Sequence, residues 1–207
     1  IRFIPHPIEL AHAIYRLRTR PSPTLVWVRS FHRVYNPSLP VRALQELSGE
    51  FPGIRLSMIG PDKGDGSLQQ TLELAAALGV GGLLEVQAGV PYAEIPAVLD
   101  RGDIFINSSN YDTAPRSVIE AMANGLCIVS TNVGGVPWLV EDGHEGLLVP
   151  PDDPHAMAAA VRRILTEPGL AARLSQNAQN KSFTYDWGRI LPQWESLFME
   201  VTAGQHG

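Results

Sequence analysis

The sequence predicts an α/β fold, a single open, doubly wound parallel sheet of about six strands with helices alone at its C-terminal end. Three observations predict it. Short apolar runs recur along residues 24–150 and read as continuous rather than alternating, as parallel strands covered on both faces do. Helix-length segments separate most of them, which makes right-handed βαβ crossovers. Beyond residue 150 the strand-like runs stop.

The expected strands are "TLVWV" (24–28), "RLSMI" (55–59), "LLEVQA" (83–88), "DIFIN" (103–107), "CIVST" (127–131) and "GLLVP" (146–150). The expected helices lie at 38–50, after Asn36-Pro37, at 67–79 with Gly79 as C-cap, at 93–101 and at 115–124. The segment "NVGGVPWLVEDGHEG" has room for about one helical turn. "DDPHAMAAAVRRILTEP" opens with an aspartate cap signal and a proline in the first turn. "LAARLSQNAQNKSF" and "WGRILPQWESLFMEV" follow, and Pro192 predicts a kink or a break in the last helix. Residues 1–23, with four prolines and the basic cluster Arg16, Arg18 and Arg20, read as an interdomain linker, residues 24–200 as the domain, and 201–207 as a flexible tail.

A hydrophobic fraction of 44% and a charged fraction of 18% support a packed core in this 207-residue chain. The net charge of -5 argues against nucleic-acid binding through bulk electrostatics. The Arg16–Arg20 cluster nonetheless raises peripheral membrane contact of a parent chain. With neither a signal peptide nor an apolar run long enough to span a membrane, the expectation is a cytoplasmic protein. The absence of an initiator Met points to a fragment or an isolated domain. Cys127, the only cysteine, sits in an apolar run and reads as buried filler. None of the six histidines has metal-ligand spacing, so no metal is expected. Phosphate-loop, dinucleotide and hydrolase-elbow patterns are absent from the sequence. Trp138, Trp187 and Trp194 read as packing residues.

Ligands of an open parallel sheet bind outside the carboxyl ends of its strands. The most informative turn there is "SSNYDTAPRSVIEAMANG" (108–125). Pro115 suits a first helical turn, Thr113 or Asp112 can cap the helix, and the free N–H groups at its start form an anion site. From there to Glu120 is ~8 Å of helix rise. Ser117, Glu120 and Asn124 share a face, while Val118, Ile119, Met122 and Ala123 face the core. An anion over the helix start with hydroxyl-bearing groups on either side suits both carboxylates, and a nucleotide sugar has that layout. Asp112 as a mere cap and Glu120 as a solvated helix residue are the plain alternative. Arg29 and Arg33 lie where cations reach a phosphate. Gly134-Gly135 allows either close approach to a ligand or a tight turn. A glycoside hydrolase using Asp112 and Glu120 as an acid/base pair is a further reading, disfavoured because a helix N-terminus attracts anions that plain glycans lack.

The run from "SSNYDTAPRSVIEAMANG" through "NVGGVP", "EDG", "GLLVP" and "DDP" resembles the C-terminal domain of retaining GT-B glycosyltransferases of the large family 4 type. That family shows an acid, seven intervening residues and Glu-Ala-Met-Ala, filled here by Asp112 and by "EAMA" from Glu120. "WVRSF", "IGP", "AGVP" and "RGDIFINSS" fit its first four strands, so the match covers about residues 24–200. The resemblance implies a Rossmann-like domain that binds a nucleotide-diphosphate sugar as co-substrate without a metal. It makes Asp112 the catalytic position, holding the donor sugar together with the backbone of Thr113, Ala114, Pro115 and Arg116. Glu120 would accept hydrogen bonds from the ribose, Arg29 and the start of the helix carrying Ser117 would bind the diphosphate, and the base would lie against Gly89 and Val90. Three positions depart from the family: Asp112 replaces the usual Glu, Arg33 stands near the usual Lys-Gly, and Trp138 replaces a common Glu. The family architecture also has an N-terminal Rossmann-like domain, which would supply the acceptor site. The implied activity is transfer of a hexose with retention of configuration by the parent chain. This piece by itself would bind nucleotide without turnover; a non-catalytic nucleotide-binding or protein-interaction module is the alternative.

Overall fold

The computed structural model describes residue 4 and residues 6–203. Six parallel strands form one sheet: β1 (Thr24–Val28), β2 (Arg55–Ile59), β3 (Leu84–Gln87), β4 (Ile104–Asn107), β5 (Cys127–Thr131) and β6 (Gly146–Val149). Their order is β3-β2-β1-β4-β5-β6. Leu25 pairs with both Leu56 and Ile104, and Ile128 with both Phe105 and Gly146, so the register is continuous across the sheet. The chain winds outward from β1 in one direction and from β4 in the other, which places the switch point between β1 and β4.

Side chains alternate between two buried layers. Leu25 and Trp27, Ile104 and Ile106, and Cys127 and Val129 point to one layer, where α1 (Ser38–Ser48) and α6 (Pro154–Thr166) cover them. Val26, Phe105 and Ile128 point to the other, against α3 (Ile95–Asp100) and α4 (Arg116–Ala123). Because both layers exclude water, the strands carry apolar residues at successive positions. The remaining helices are α2 (Ser67–Ala77), the single turn α5 (Val136–Leu139), α7 (Leu170–Ser182) and α8 (Trp187–Ala203). Gly79 takes a left-handed φ of 72° just past α2, as the end of that helix requires. The Asp153 side chain accepts from the Ala156 N–H at 2.8 Å and caps α6.

Several expectations shift. The third strand is shorter, because a 3₁₀ turn at Gly81–Leu83 takes up its first residue. Residues 93–94 also form part of a 3₁₀ turn, Tyr92–Glu94, ahead of α3. Pro192 breaks nothing: α8 runs through it. Residues 201–203 belong to α8, whereas 204–207 of the expected tail lie outside the described residues. The tryptophan reading is wrong for three residues. Trp138, Trp187 and Trp194 are exposed, and the buried one is Trp27, whose indole donates to the Ser108 hydroxyl at 2.9 Å. On α8, Trp187, Leu191, Trp194, Phe198 and Val201 form an exposed stripe at alternating steps of four and three.

The N-terminal segment is fastened to the domain. Ile8 is buried and its N–H donates to the Tyr185 carbonyl at 2.9 Å. Arg18, with a side-chain exposure of 0%, binds the Asp103 carboxylate at 3.3 Å. It also donates to the carbonyls of Arg16, Gly102 and Asn124. Arg16 pairs with Asp103 at 2.8 Å. Two of the three cations read as a basic patch are therefore committed to internal carboxylates. Among the described residues no helix is long and apolar enough to cross a membrane.

Two outcomes follow from this packing. Arg18→Met leaves Asp103 with Arg16 as its remaining arginine and takes a donor from three carbonyls, and should cost about 2–3 kcal/mol of stability in urea unfolding. Burial pushes the Cys127 thiol up to about 12. Cys127 should therefore resist thiol reagents at pH 8 in the folded chain and react on unfolding.

Candidate functional site

An open cleft of about 300 Å³ lies at the carboxyl ends of the strands, beside the switch point. Its floor comes from Val28, Arg29 and Ser30 after β1, and from Ile59, Gly60 and Pro61 after β2. Gly89, Val90, Tyr92 and Ile95 form one wall, and Arg116, Ser117 and Glu120 of α4 form the other, with Tyr35 at the rim.

Arg29 is held at the mouth of β1, where its backbone N–H still donates to the Ile59 carbonyl at 3.0 Å. Its guanidinium lies 4.4 Å from the Tyr35 ring centroid and forms an ion pair with Asp112. Burial pulls the Arg29 pKa down, with Tyr35 and Glu120 opposing that shift. Tyr35 is fixed in turn, since its carbonyl accepts from the Ser108 hydroxyl at 2.7 Å. Asp112 is placed by a buried polar network at the ends of β4 and β5. Ser109 Oγ lies 3.2 Å from Asp112 and 3.0 Å from Asn107 Oδ1 and offers its one proton to either, and Thr131 Oγ1 donates to the Ser109 carbonyl at 2.6 Å.

The Gly134-Gly135 pair explains how this loop stays in place. A Cβ on Gly134 would sit 2.0 Å from the Asp112 carbonyl oxygen, and one on Gly135 would sit 1.6 Å from that of Thr113. The Gly135 N–H donates to the Asp112 carbonyl at 2.9 Å. The close approach that two glycines permit is used by the chain's own backbone rather than by a ligand.

Glu120 projects from α4 into the cleft with a side-chain exposure of 13%. Burial raises its pKa, and Arg116, the Tyr92 hydroxyl and Arg29 act against that rise. Among the described residues, Arg29 Nε and Ser117 Oγ are buried side-chain atoms that lack a hydrogen-bond partner, and buried Glu120 Oε1 meets Arg116 Nε at 3.0 Å in an ion pair. All three residues line this cleft.

The structure brings Arg29, Gly89, Val90, Arg116, Ser117 and Glu120 together at the cleft, and Asp112 joins them through Arg29. It does not bring Arg33, Thr113, Ala114 or Pro115 to the lining. Arg33 is exposed on a 3₁₀ turn, where its backbone N–H binds Asp65 at 2.8 Å. Tyr35, two residues on, takes the inward place. Pro115 is the N-cap of α4, with an extended ψ of 104°, and offers no N–H. Nor do Asp112 and Thr113 cap α4, which has no side-chain cap bond; the Asp112 carboxylate is turned to Arg29 and Ser109. Asn124 points away from the cleft and accepts from the Ile14 N–H at 2.8 Å. Tyr35 and Tyr92 were missed, and their position just after strand ends is the signal that could have found them.

One grouping elsewhere has the donor set of a metal site. Glu141, His144 and Glu145 bring ligand atoms within 4.8 Å of one another. The Glu145 carboxylate there already meets the Lys181 ammonium at 3.3 Å, the Glu141 N–H at 2.7 Å and His144 Nδ1 at 2.9 Å. A lysine supplies its counter-charge.

Comparison with known proteins matches this fold. The D-inositol 3-phosphate glycosyltransferases of Streptomyces bingchenggensis and Corynebacterium glutamicum are 26% and 27% identical over 81% and 82% of this chain. The chain spans about two fifths of their length, 38% and 41%. Among solved structures, sucrose-phosphate synthase from Thermosynechococcus elongatus superposes with a TM-score of 0.87 at 25% identity. That match covers 98% of this chain and 53% of that one. Anabaena HepE in complex with UDP-glucose gives a TM-score of 0.86 at 19% identity, covering 96% of this chain and 57% of that one. The C-terminal domain of a group 1 glycosyl transferase from Francisella tularensis gives 0.71 at 19% identity, with 89% and 96% covered. The sequence model of glycosyl transferases group 1 matches residues 16–181, a span that holds β1 to β6 and every residue lining the cleft, and the chain belongs to that family, with the fold of a GT-B C-terminal domain.

Proposed function

We propose that this chain is the donor-binding half of a glycosyltransferase that moves a hexose from a nucleotide-diphosphate sugar to an acceptor with retention of configuration. The observation that carries the reading is the convergence in one cleft of two unpartnered buried atoms, Arg29 Nε and Ser117 Oγ, with the Glu120 carboxylate, which is paired with Arg116 from its own helix. Leaving a buried polar group unsatisfied costs about 1–3 kcal/mol each. A ligand carrying an anion and a diol recovers that cost.

The diphosphate fits Arg29 and the uncapped start of α4, where the helix dipole favours negative charge. Glu120 suits the ribose hydroxyls, and Gly89 and Val90 offer a wall for the base. Asp112 lies next to Arg29, at the end where the sugar follows the diphosphate. In the transfer itself, the cation and the helix N-terminus would stabilise the charge on the departing diphosphate, and no step asks for a divalent ion. The acceptor site and the rest of the catalytic apparatus would come from a second Rossmann-like domain, in keeping with relatives more than twice this length. The exposed stripe on α8 is available to such a domain. This half would bind nucleotide without turnover.

Binding without transfer is a second reading, and the pairing of Asp112 with Arg29 favours it, because the acid that would hold the sugar is engaged by the phosphate-binding cation.

Calorimetric titration with UDP, GDP and ADP tests the site. One nucleotide should bind, and Glu120→Gln and Arg29→Met should each weaken it about 10- to 100-fold. The loss in Glu120→Gln should vanish with a nucleotide lacking the ribose hydroxyls. Equal binding by Glu120→Gln and wild type would overturn the ribose assignment. In a protein extended by the second domain, Asp112→Asn should lower kcat about 100-fold or more while nucleotide affinity holds. Product anomers read by NMR should keep the donor configuration. Nucleotide binding by that longer protein with no transfer to any acceptor would select the second reading.

A further inference from the structure

Arg116 breaks two local rules. It is the first residue of α4, so its cation stands at the positive end of the helix dipole. Its partner Glu120 lies four residues toward the C-terminus, the less favourable order for such a pair on a helix. A side chain placed against local preference at a ligand cleft calls for a compensating role.

The geometry supplies one. Arg116 Nε lies 3.0 Å from Glu120 Oε1. Its guanidinium carbon is 4.4 Å from the Tyr92 ring centroid, and Nη2 donates to the Tyr92 hydroxyl. Tyr92 stands two residues past Val90, in the wall opposite α4. One guanidinium thus ties the two walls of the cleft together and faces the one carboxylate that enters it.

We propose that Arg116 is a positioning residue: it holds the Glu120 carboxylate ionised and aimed at the ribose hydroxyls, and it locks Tyr92 into the wall against which the base lies. The proposal rests on the donor-site reading above. A carboxylate accepts from both hydroxyls of a diol through its two oxygens only when it is charged, since the neutral acid turns one oxygen into a donor, and burial drives Glu120 toward that neutral form. Arg116 opposes that from its own helix. Arg29 faces Glu120 from the end of β1 and Tyr92 from the turn before α3. Glu9 and His12 of the N-terminal segment share a small cavity with it. Of these cations, Arg29 is already engaged by Asp112, which leaves Arg116 as the dedicated counter-charge.

The sign is fixed by this chemistry. Removing Arg116 raises the Glu120 pKa, so the binding-competent carboxylate forms only at higher pH. The test follows the Glu120 carboxyl carbon by NMR titration of the ligand-free chain, in wild type, Arg116→Met and Arg116→Lys. Affinity for the nucleotide that binds is then measured between pH 5.5 and 9, beside that for inorganic pyrophosphate. The Glu120 titration should move up in Arg116→Met and return part of the way in Arg116→Lys. Nucleotide affinity in Arg116→Met should fall about tenfold at the acid end and recover at the alkaline end, with pyrophosphate affinity unchanged.

An unmoved Glu120 titration overturns the proposal, whatever the nucleotides do. A loss of pyrophosphate affinity also overturns it, because Arg116 would then be a phosphate ligand itself. If no nucleotide binds wild type at any pH, the donor-site reading and the ribose role of Arg116 fall, even where the NMR shift shows that Arg116 sets the charge of Glu120. The two failures are thereby told apart.

Discussion

The strand order β3-β2-β1-β4-β5-β6 sends the crossovers from β1 and β4 to opposite faces of the sheet, and the gap they leave at the carboxyl ends is the constraint on which the site depends. Nothing on α4 could face Arg29 without it. With it, a cation at the end of β1 and a helix N-terminus after β4 converge on one space, and both favour an anion.

Holding that space open takes most of the buried polar groups at the top of the sheet. Asn107, Ser108, Ser109, Ser130 and Thr131 are all buried, and each satisfies a neighbour or is satisfied by one. Their network orients Asp112 on one side and Tyr35 on the other. The Gly134-Gly135 approach clamps the loop from above, where any Cβ would collide with backbone. Against this satisfied framework the unpartnered Arg29 Nε and Ser117 Oγ of the cleft stand out. A well-determined scaffold keeps a few polar groups unsatisfied where a ligand will complete them.

The charges of the cleft are arranged in two pairs. Arg29 faces Asp112, and Arg116 faces Glu120. Each acid is kept company by a cation, so neither is buried as an uncompensated charge, a state that costs several kcal/mol. Pairing also gives each acid a partner that a ligand can displace or share, which links the electrostatics of the empty cleft to its chemistry when filled.

How much of this was legible in the sequence follows from the range of each signal. Central parallel strands buried on both faces are apolar at successive positions, so β1, β2 and β5 could be read to the residue, while the half-buried edge strand β3, with Glu85 and Gln87, carries a weaker signal. The acid–Glu spacing of Asp112 and Glu120 and the helix between them were equally plain. Choices between near neighbours were not. Arg33 and Tyr35 occupy one turn after β1, and the turn's 3₁₀ geometry, closed by Asn36 at a φ of 44°, decides which of them faces the cleft. Pro115 reads as a first-turn residue but is the cap, since the loop approaches α4 in an extended conformation. The arginines at 16 and 18 read as a surface patch, yet both pair with Asp103, more than eighty residues away in the chain, and Arg18 is buried there while Arg16 stays half exposed. The sequence by itself determined the layered parallel sheet and the identity of the acids, because periodicity and local spacing set them. Only the tertiary structure decided which cations those acids meet and which aromatic rings wall the cleft, because charge pairing and burial depend on residues that the chain brings together from far apart.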